Sequence, residues 1–572
     1  MRGAALAVAA MLVLAVGRGA AAADSSLTDE DVVSRLDELL KQSWRDAGVS
    51  PSPTAPDGPW ARRVCLDLIG RVPTLDELRA FFAEPPHERR AWLVDRLLGR
   101  EYTVERSRWD ATQWAILLVG RTGGMRNNSP IHRESLEAYL GDEMRANRPH
   151  DEFMRELVTA TGSVRPEDPD HNGAANFLVD KLGDDAVQAT ARTAQLFLGT
   201  SVQCTQCHNH PFNEQRQNQF WELNAFFRQT RFQPIREEDS NRRYGRVVNR
   251  DFMGEAGRRV TLEGEERAEL YYELRNGRLK VAYPTFIDGT PLADVMLDRG
   301  VDEGDSGRLD VVDRRAELAD LIARSDEFAR VTVNREWARL LGYGMVRPPE
   351  DMGPHNPPSH PELLQTLADA FVRSGFDRSR LTRWIVSSRA YQLDSRAGRS
   401  NADDDPAAGV TPAFSRFYLR QLTPEQIYDS LVTATRADEG LSEEEADRAR
   451  RRWLRQFTID QGNDENGEAT TFNGSISQTL AMMNSRVMRR ATNLRGGDYD
   501  NQTLLASIAW DDTLSDAERI DRLYLAALAR KPTRDELRLA QSLLAKREGD
   551  VAETLRDVWW ALLNSNEFIL NH

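Results

Sequence analysis

Apolar residues recur at three- and four-residue spacing through most of the chain. Leu363, Leu364, Leu367, Ala370 and Phe371 fall on one helical face, as do Val187, Ala191, Ala194 and Leu198. Many such runs are preceded by a hydroxyl residue with an acid or amide three positions on: Thr74 with Glu77, Ser359 with Glu362, Thr423 with Gln426, Ser442 with Glu445, Ser515 with Glu518, and Thr533 with Glu536. In each pair the hydroxyl accepts from an orphan N–H at the helix start, and the longer side chain reaches back to the cap. Pro424 at a first helical position strengthens the third pair. The pattern predicts a mainly α, multi-helical protein.

The helical period fades over residues 231–290, where Gly254, Gly257, Gly264, Gly277 and Gly289 punctuate short segments. Leu270 to Leu274 and Leu279 to Tyr283 flank Asn276-Gly277 and predict a hairpin. This region reads as a small β-rich insert. Residues 396–415 are rich in Asp, Ala, Gly and Ser and read as a linker. The expected divisions are a helical domain over 24–230, the insert to residue 300, a helical domain over 301–395, the linker, and a helical region over 416–572. An internal echo crosses these divisions. Residues 63–79 (RVCLDLIGRVPTLDELR) and 522–538 (RLYLAALARKPTRDELR) share Arg, Leu, Pro-Thr and Asp-Glu-Leu-Arg in register. Two readings stand: a duplicated helical hairpin joining the two ends of the molecule, or shared local turn chemistry.

A chain of 572 residues is too long for one ordinary core. Its formal charge of −15 argues against a general nucleic-acid binder and against docking on an anionic membrane. Arg2, the apolar run Ala4 to Val16 and Ala21-Ala22-Ala23 have the layout of a secretory signal, which predicts an exported, periplasmic or otherwise extracytoplasmic protein cut near residue 23. That run is too short to span a bilayer, and no later stretch is apolar enough, so no transmembrane helix is expected in the mature chain. There are three cysteines, which excludes a disulfide-stapled fold. Cys65, in the apolar run Val64 to Ile69, reads as a buried free thiol.

The other two cysteines carry the chemistry. Cys204-Thr205-Gln206-Cys207-His208 supplies two thiols spaced for the vinyl groups on one porphyrin edge, and an imidazole to stand under the iron. This predicts haem c on Cys204 and Cys207 with His208 as the proximal ligand, and it agrees with export. Zinc held by Cys204, Cys207 and His208 or His210 is an alternative, although no second ligand pair completes such a site. A disulfide is another. His210, ahead of Pro211, is a weaker candidate metal ligand or a turn residue. No sixth haem ligand stands out among His132, His150, His171, His355, His360 and several methionines. His360 ranks first, because a position at a helix start keeps an imidazole neutral. No hydrolase elbow, zincin motif or phosphate-binding loop is present, and no reaction class follows.

Phe197-Leu198-Gly199, the stretch from Cys204 to Phe212, Phe220-Trp221 and Ala225-Phe226-Phe227 resemble the planctomycete cytochrome-like family catalogued as domain of unknown function 1549. Phe286 to Gly289, Asp313-Arg314-Arg315, Val333 to Trp337 and Asn356 to Leu364 resemble its usual partner, domain of unknown function 1553. The resemblance implies an exported, cytochrome-c-related protein without an assigned reaction, with Cys204, Cys207 and His208 haem-related and His210 and His360 as further pattern positions. Two departures are visible: no additional upstream Cys-x-x-Cys-His, and Asn209 where relatives carry an acid. The leading expectation is an electron-transfer protein with a redox partner protein. The other is a metal-stabilised, non-redox scaffold of the cell envelope, in polysaccharide handling for example.

Overall fold

In the computed structural model, residues 28–126, 128–210, 215–236, 242–252, 270–301, 307–458, 483–494 and 503–572 are described; the expected signal segment lies outside them. The protein is mainly α. Five of the six expected capping pairs form: Thr74–Glu77, Thr423–Gln426, Ser515–Glu518 and Thr533–Glu536 are reciprocal boxes, and Ser442 and Glu445 exchange the same bonds. The sixth does not. His360 is the cap residue of the Pro361–Arg373 helix, and the Ser359 hydroxyl bonds the His360 ring at 2.9 Å. Pro361 at the first helical position moves the start one residue on and draws Ser359 out of reach. No helix among the described residues is long and apolar enough to cross a membrane.

The β-rich insert forms as two small sheets. Strands β2 (Thr230–Arg236) and β3 (Arg243–Asn249) pair antiparallel, and β1 (Gly162–Ser163) joins the other edge of β3. Strands β4 (Leu270–Glu273) and β5 (Leu279–Ala282) make the expected hairpin, with Leu270 opposite Ala282. Gly277 supplies the positive φ of 79° that the turn needs, and the Asn276 side chain accepts from the Arg278 N–H at 3.2 Å.

Among the described residues three large apolar cores form, with a small fourth cluster of Ala225, Leu270, Tyr272 and Ala282 at the hairpin, and the large ones do not follow the sequence divisions. One gathers the Thr103–Val119, Arg133–Ala146, His150–Thr159 and Gly183–Leu198 helices with Arg314–Arg324. A second joins the N-terminal helices Asp29–Asp46, Asp57–Ile69 and Arg89–Leu98 to Asp326–Leu341, Pro361–Arg373 and Arg378–Ser387. The third packs the C-terminal helices around Leu66 and Val72 from the N-terminal segment. The stretch expected to be a linker is tied down. Asn401 is buried and bonds Ser52 and the Ser415 carbonyl, while Asp404 accepts from the Ser415 amide and hydroxyl and from the Tyr418 hydroxyl. Asn401 and Asp404 are buried anchors in a stretch whose other residues are mostly exposed.

The two echo segments are the same device. Each is a helix closed by a left-handed residue, Gly70 (φ 75°) or Ala529 (φ 54°), followed by a Pro-Thr turn into a boxed helix. Arg71 makes two 2.9 Å bonds to Glu77, and Arg530 makes two 2.9 Å bonds to Glu536. The hairpins also meet: a Cβ on Gly58 would lie 2.0 Å from the Ala529 carbonyl oxygen.

Asp67, buried between these ends, accepts from Arg420 at 2.7 and 2.9 Å, from the Tyr391 hydroxyl at 2.7 Å and from the Asn571 amide at 2.9 Å. Its carbonyl accepts from the Trp109 indole and from Arg339. The neighbouring Arg62 donates to the carbonyls of Phe568 and Leu570. Arg63 donates to those of Tyr391 and His572 and lies 3.6 Å over the Phe417 ring. Asp67→Ala leaves the Arg420 guanidinium buried without its carboxylate, and is expected to cost about 3–5 kcal/mol in urea unfolding. Gly58→Ala, against a backbone atom, is expected to cost about 1–3 kcal/mol in the same measurement.

Candidate functional site

The Gly183–Leu198 helix ends at Gly199, whose φ of 63° gives the left-handed cap expected there. After Val202 the chain winds into a 3₁₀ turn over Gln203–Gln206, with Cys207 at its end. A 3₁₀ turn eclipses residues three apart, so Cys204 and Cys207 share one side. Both thiols are exposed and neither is in a disulfide. Thr205 points inward instead; it is buried, and its hydroxyl donates to the Val202 carbonyl at 2.6 Å.

The turn is braced from the Gln217–Asn224 helix. Trp221 Nε1 and Gln217 Nε2 each donate to the Gln206 carbonyl at 3.1 Å, and Gln217 Nε2 also reaches the Glu273 carbonyl of β4. The Trp221 ring stacks on Tyr272 at 6.0 Å. The hairpin therefore supports the helix that holds the motif, a role its sequence did not reveal. Asn209 caps this helix, its Oδ1 accepting from the Gln217 N–H at 3.0 Å. An aspartate would accept the same bond, so the departure at Asn209 keeps the local geometry.

His208 is exposed, and its Nδ1 lies 2.7 Å from the Asn209 carbonyl oxygen. A carbonyl only accepts, so Nδ1 carries the hydrogen and Nε2 of the neutral ring keeps its lone pair. Such a bond fixes the tautomer and orientation of a metal-binding imidazole. His210 is half-buried, and its backbone N–H donates to the Gln215 carbonyl at 2.8 Å. Among the described residues, no group of three or more His, Cys, Asp or Glu is gathered to hold a metal ion; a zinc site built from Cys204, Cys207, His208 and His210 is thus not pre-assembled.

The other histidines are engaged elsewhere. His360 is buried between the Asp29–Asp46 and Pro361–Arg373 helices. Its Nε2 lies 2.9 Å from the Ser43 hydroxyl, its Nδ1 2.9 Å from that of Ser359, and its ring packs on Phe414. With both nitrogens occupied it is a packing element, not a poised ligand. It is neutral as expected, but burial rather than helix position is the main cause. His132 caps a helix through the Ser135 N–H, His171 bonds the Ser135 hydroxyl, and His355 bonds Asp351. The buried thiol expected at Cys65 is there, and burial pushes its pKa up.

A second polar constellation escaped the sequence reading. His150, Asp110, Glu336 and four arginines line a partly open cavity of about 110 Å³. The available signal was the charged set Arg335, Glu336 and Arg339 on a helix whose neighbours Val333, Trp337 and Leu340 are core residues.

Residues 35–232 match the family model PSCyt2, described as a protein of unknown function (DUF1549), and residues 314–465 match PSD1, described likewise (DUF1553). No curated protein and no solved structure matches the chain. The chain carries a domain of each family, in the expected order.

Burial holds the His360 pKa down to about 4 from its ordinary 6.5, with a smaller opposing attraction from Asp404. The unfolded chain therefore takes up this proton first as pH falls. Stability that His360 contributes above pH 6.5 is lost towards pH 4, by about 3 kcal/mol at most. His360→Gln is expected to flatten that part of the stability–pH profile, read as the difference between variant and wild-type urea unfolding at each pH.

Proposed function

We propose that this chain, which joins a PSCyt2 domain to a PSD1 domain, is an exported c-type cytochrome-like protein that transfers electrons to or from a redox partner protein. The observation that carries this reading is the pair of exposed, unpaired thiols on one side of a short turn, followed directly by an exposed imidazole whose Nε2 is available. That donor set fits haem c. Cys204 and Cys207 would hold the macrocycle through their sulfur atoms, and His208 would ligate its iron. The bound group supplies a one-electron couple.

The chain's own contribution is orientation. The Asn209 carbonyl holds the His208 ring in one tautomer, and Trp221 and Gln217 anchor the turn at Gln206. Exposure leaves room for a large planar group to be added from outside and leaves an edge open to a partner. The signal-like layout of residues 1–23 supports export, since haem c is attached outside the cytoplasm. The zinc-stabilised scaffold requires three or four donors to be drawn together, and the exposed, ungathered set favours it less.

The test is to produce the protein in a host able to attach haem c. A pyridine haemochrome α-band is expected, with haem staining that survives a denaturing gel. Cys207→Ala should weaken or abolish that staining. Absence of the α-band, together with zinc by elemental analysis, would overturn the reading in favour of the scaffold.

A further inference from the structure

The cavity found above lies at the seam between the two family domains. The Thr103–Val119 helix and the corner between Arg133–Ala146 and His150–Thr159 form one side; the Asp326–Leu341 and Arg378–Ser387 helices form the other. Domain seams are a common place for small-molecule sites. Its volume, about 110 Å³, is of the order of the engineered cavity that admits benzene.

Its polar groups are not in balance. Arg339 is paired with Glu336 at 2.6 Å, and Thr382 bonds the same carboxylate. Arg106, Arg335 and Arg378 have no such partner among the described residues. Arg106 donates to the Leu98 carbonyl, Arg335 to that of Leu196, and Arg378 to the Met144 sulfur and, at 3.5 Å, to the Glu143 carbonyl. The Nε of both Arg335 and Arg378 is buried without a bond. His150 is fully buried, stacks on Phe328 at 5.4 Å, and has neither ring nitrogen hydrogen-bonded. Orphaned buried donors of this kind are costly unless something completes them.

We propose that this cavity binds a small organic anion, whose carboxylate is received by the guanidinium groups of Arg106, Arg335 and Arg378 and whose apolar body lies against Trp114 and the surrounding leucines. Guanidinium forks match a planar carboxylate, and the apolar walls select a hydrocarbon or ring body over a bare inorganic ion. Burial lowers all three arginine pKa values, Arg335 to about 10, and the attraction of Asp110 for Arg106 and Arg378 and of Glu350 for Arg335 offsets this only in part. A bound anion adds to that compensation. Burial also raises the pKa of Asp110 on the same wall, against the attraction of Arg339, Arg106 and Arg378. His150 is held neutral for the same reason and is free to donate one N–H. The proposal is independent of haem attachment.

Calorimetric titration of the full chain with benzoate, benzyl alcohol and inorganic phosphate tests it. Benzoate is expected to bind at least about tenfold more tightly than either of the others, a difference of about 1.4 kcal/mol. Arg378→Gln, checked for folding by circular dichroism, is expected to weaken benzoate about tenfold or more. Benzyl alcohol binding as tightly as benzoate would overturn the role of the arginines. Phosphate binding alone would overturn the apolar body, and no binding of benzoate would overturn the site. Should the variant fail to fold, the comparison of the three ligands on the wild type still decides.

Discussion

Asp67 is the point on which the architecture turns. One buried carboxylate and its own carbonyl receive donors from residues 109, 339, 391, 420 and 571, segments spread along the whole chain. A carboxylate out of water is tolerable only when its lone pairs are filled. Filling these brings the N-terminal helix pair, the middle of the chain and the last strand to one place. Strand β6 (Arg420–Gln421) then pairs with β7 (Leu570–Asn571), and Arg62 and Arg63 bind the carbonyls around it. Two adjacent, fully buried arginines without carboxylates of their own are held by backbone oxygens, whose geometry exists only once both ends have docked.

Set against this rigid junction, the Cys204–His208 turn is built differently. It stands at the surface on a short 3₁₀ segment, held by two donors to a single carbonyl and by one stacked pair of rings. A site that must accept a bulky group after or during folding cannot have its thiols sealed in a core. Cys65 shows the contrast: the same side chain lies buried in the second core, where burial disfavours its thiolate. The pocket between the domains represents a third condition, lined by charged groups that are only partly exposed. Its position between two domains means that neither domain alone encloses it.

Much of the local structure was legible in the sequence because it rests on interactions a few residues apart. The capping pairs, the Gly199 helix end, the hairpin around Asn276-Gly277 and the Pro-Thr turns of the echo depend on spacing, and spacing is visible in one dimension. The lapses have equally local causes. Pro361 displaced a helix start and left His360, not Ser359, at the cap. A polar, Asp-rich stretch read as a linker is pinned at Asn401 and Asp404, where Asp404 finds four donors near Ser415. The candidate site was legible as a motif, and the groups that hold it were not; Gln217 and Tyr272 carry no signal of that role until the insert packs against the turn.

The sequence by itself determined the helical class, the positions of five helix starts, the small β insert and the spacing of two thiols beside an imidazole. Each follows from side chains within one or two turns of one another. Only the tertiary structure decided that much of residues 29–98 packs with residues 326–418, that His360 is spent on two serine hydroxyls, and that Arg106, His150, Arg335 and Arg378 face a common cavity. Those outcomes depend on how distant apolar faces share burial and on which buried charges find partners, and both are settled by contacts hundreds of residues apart in the chain.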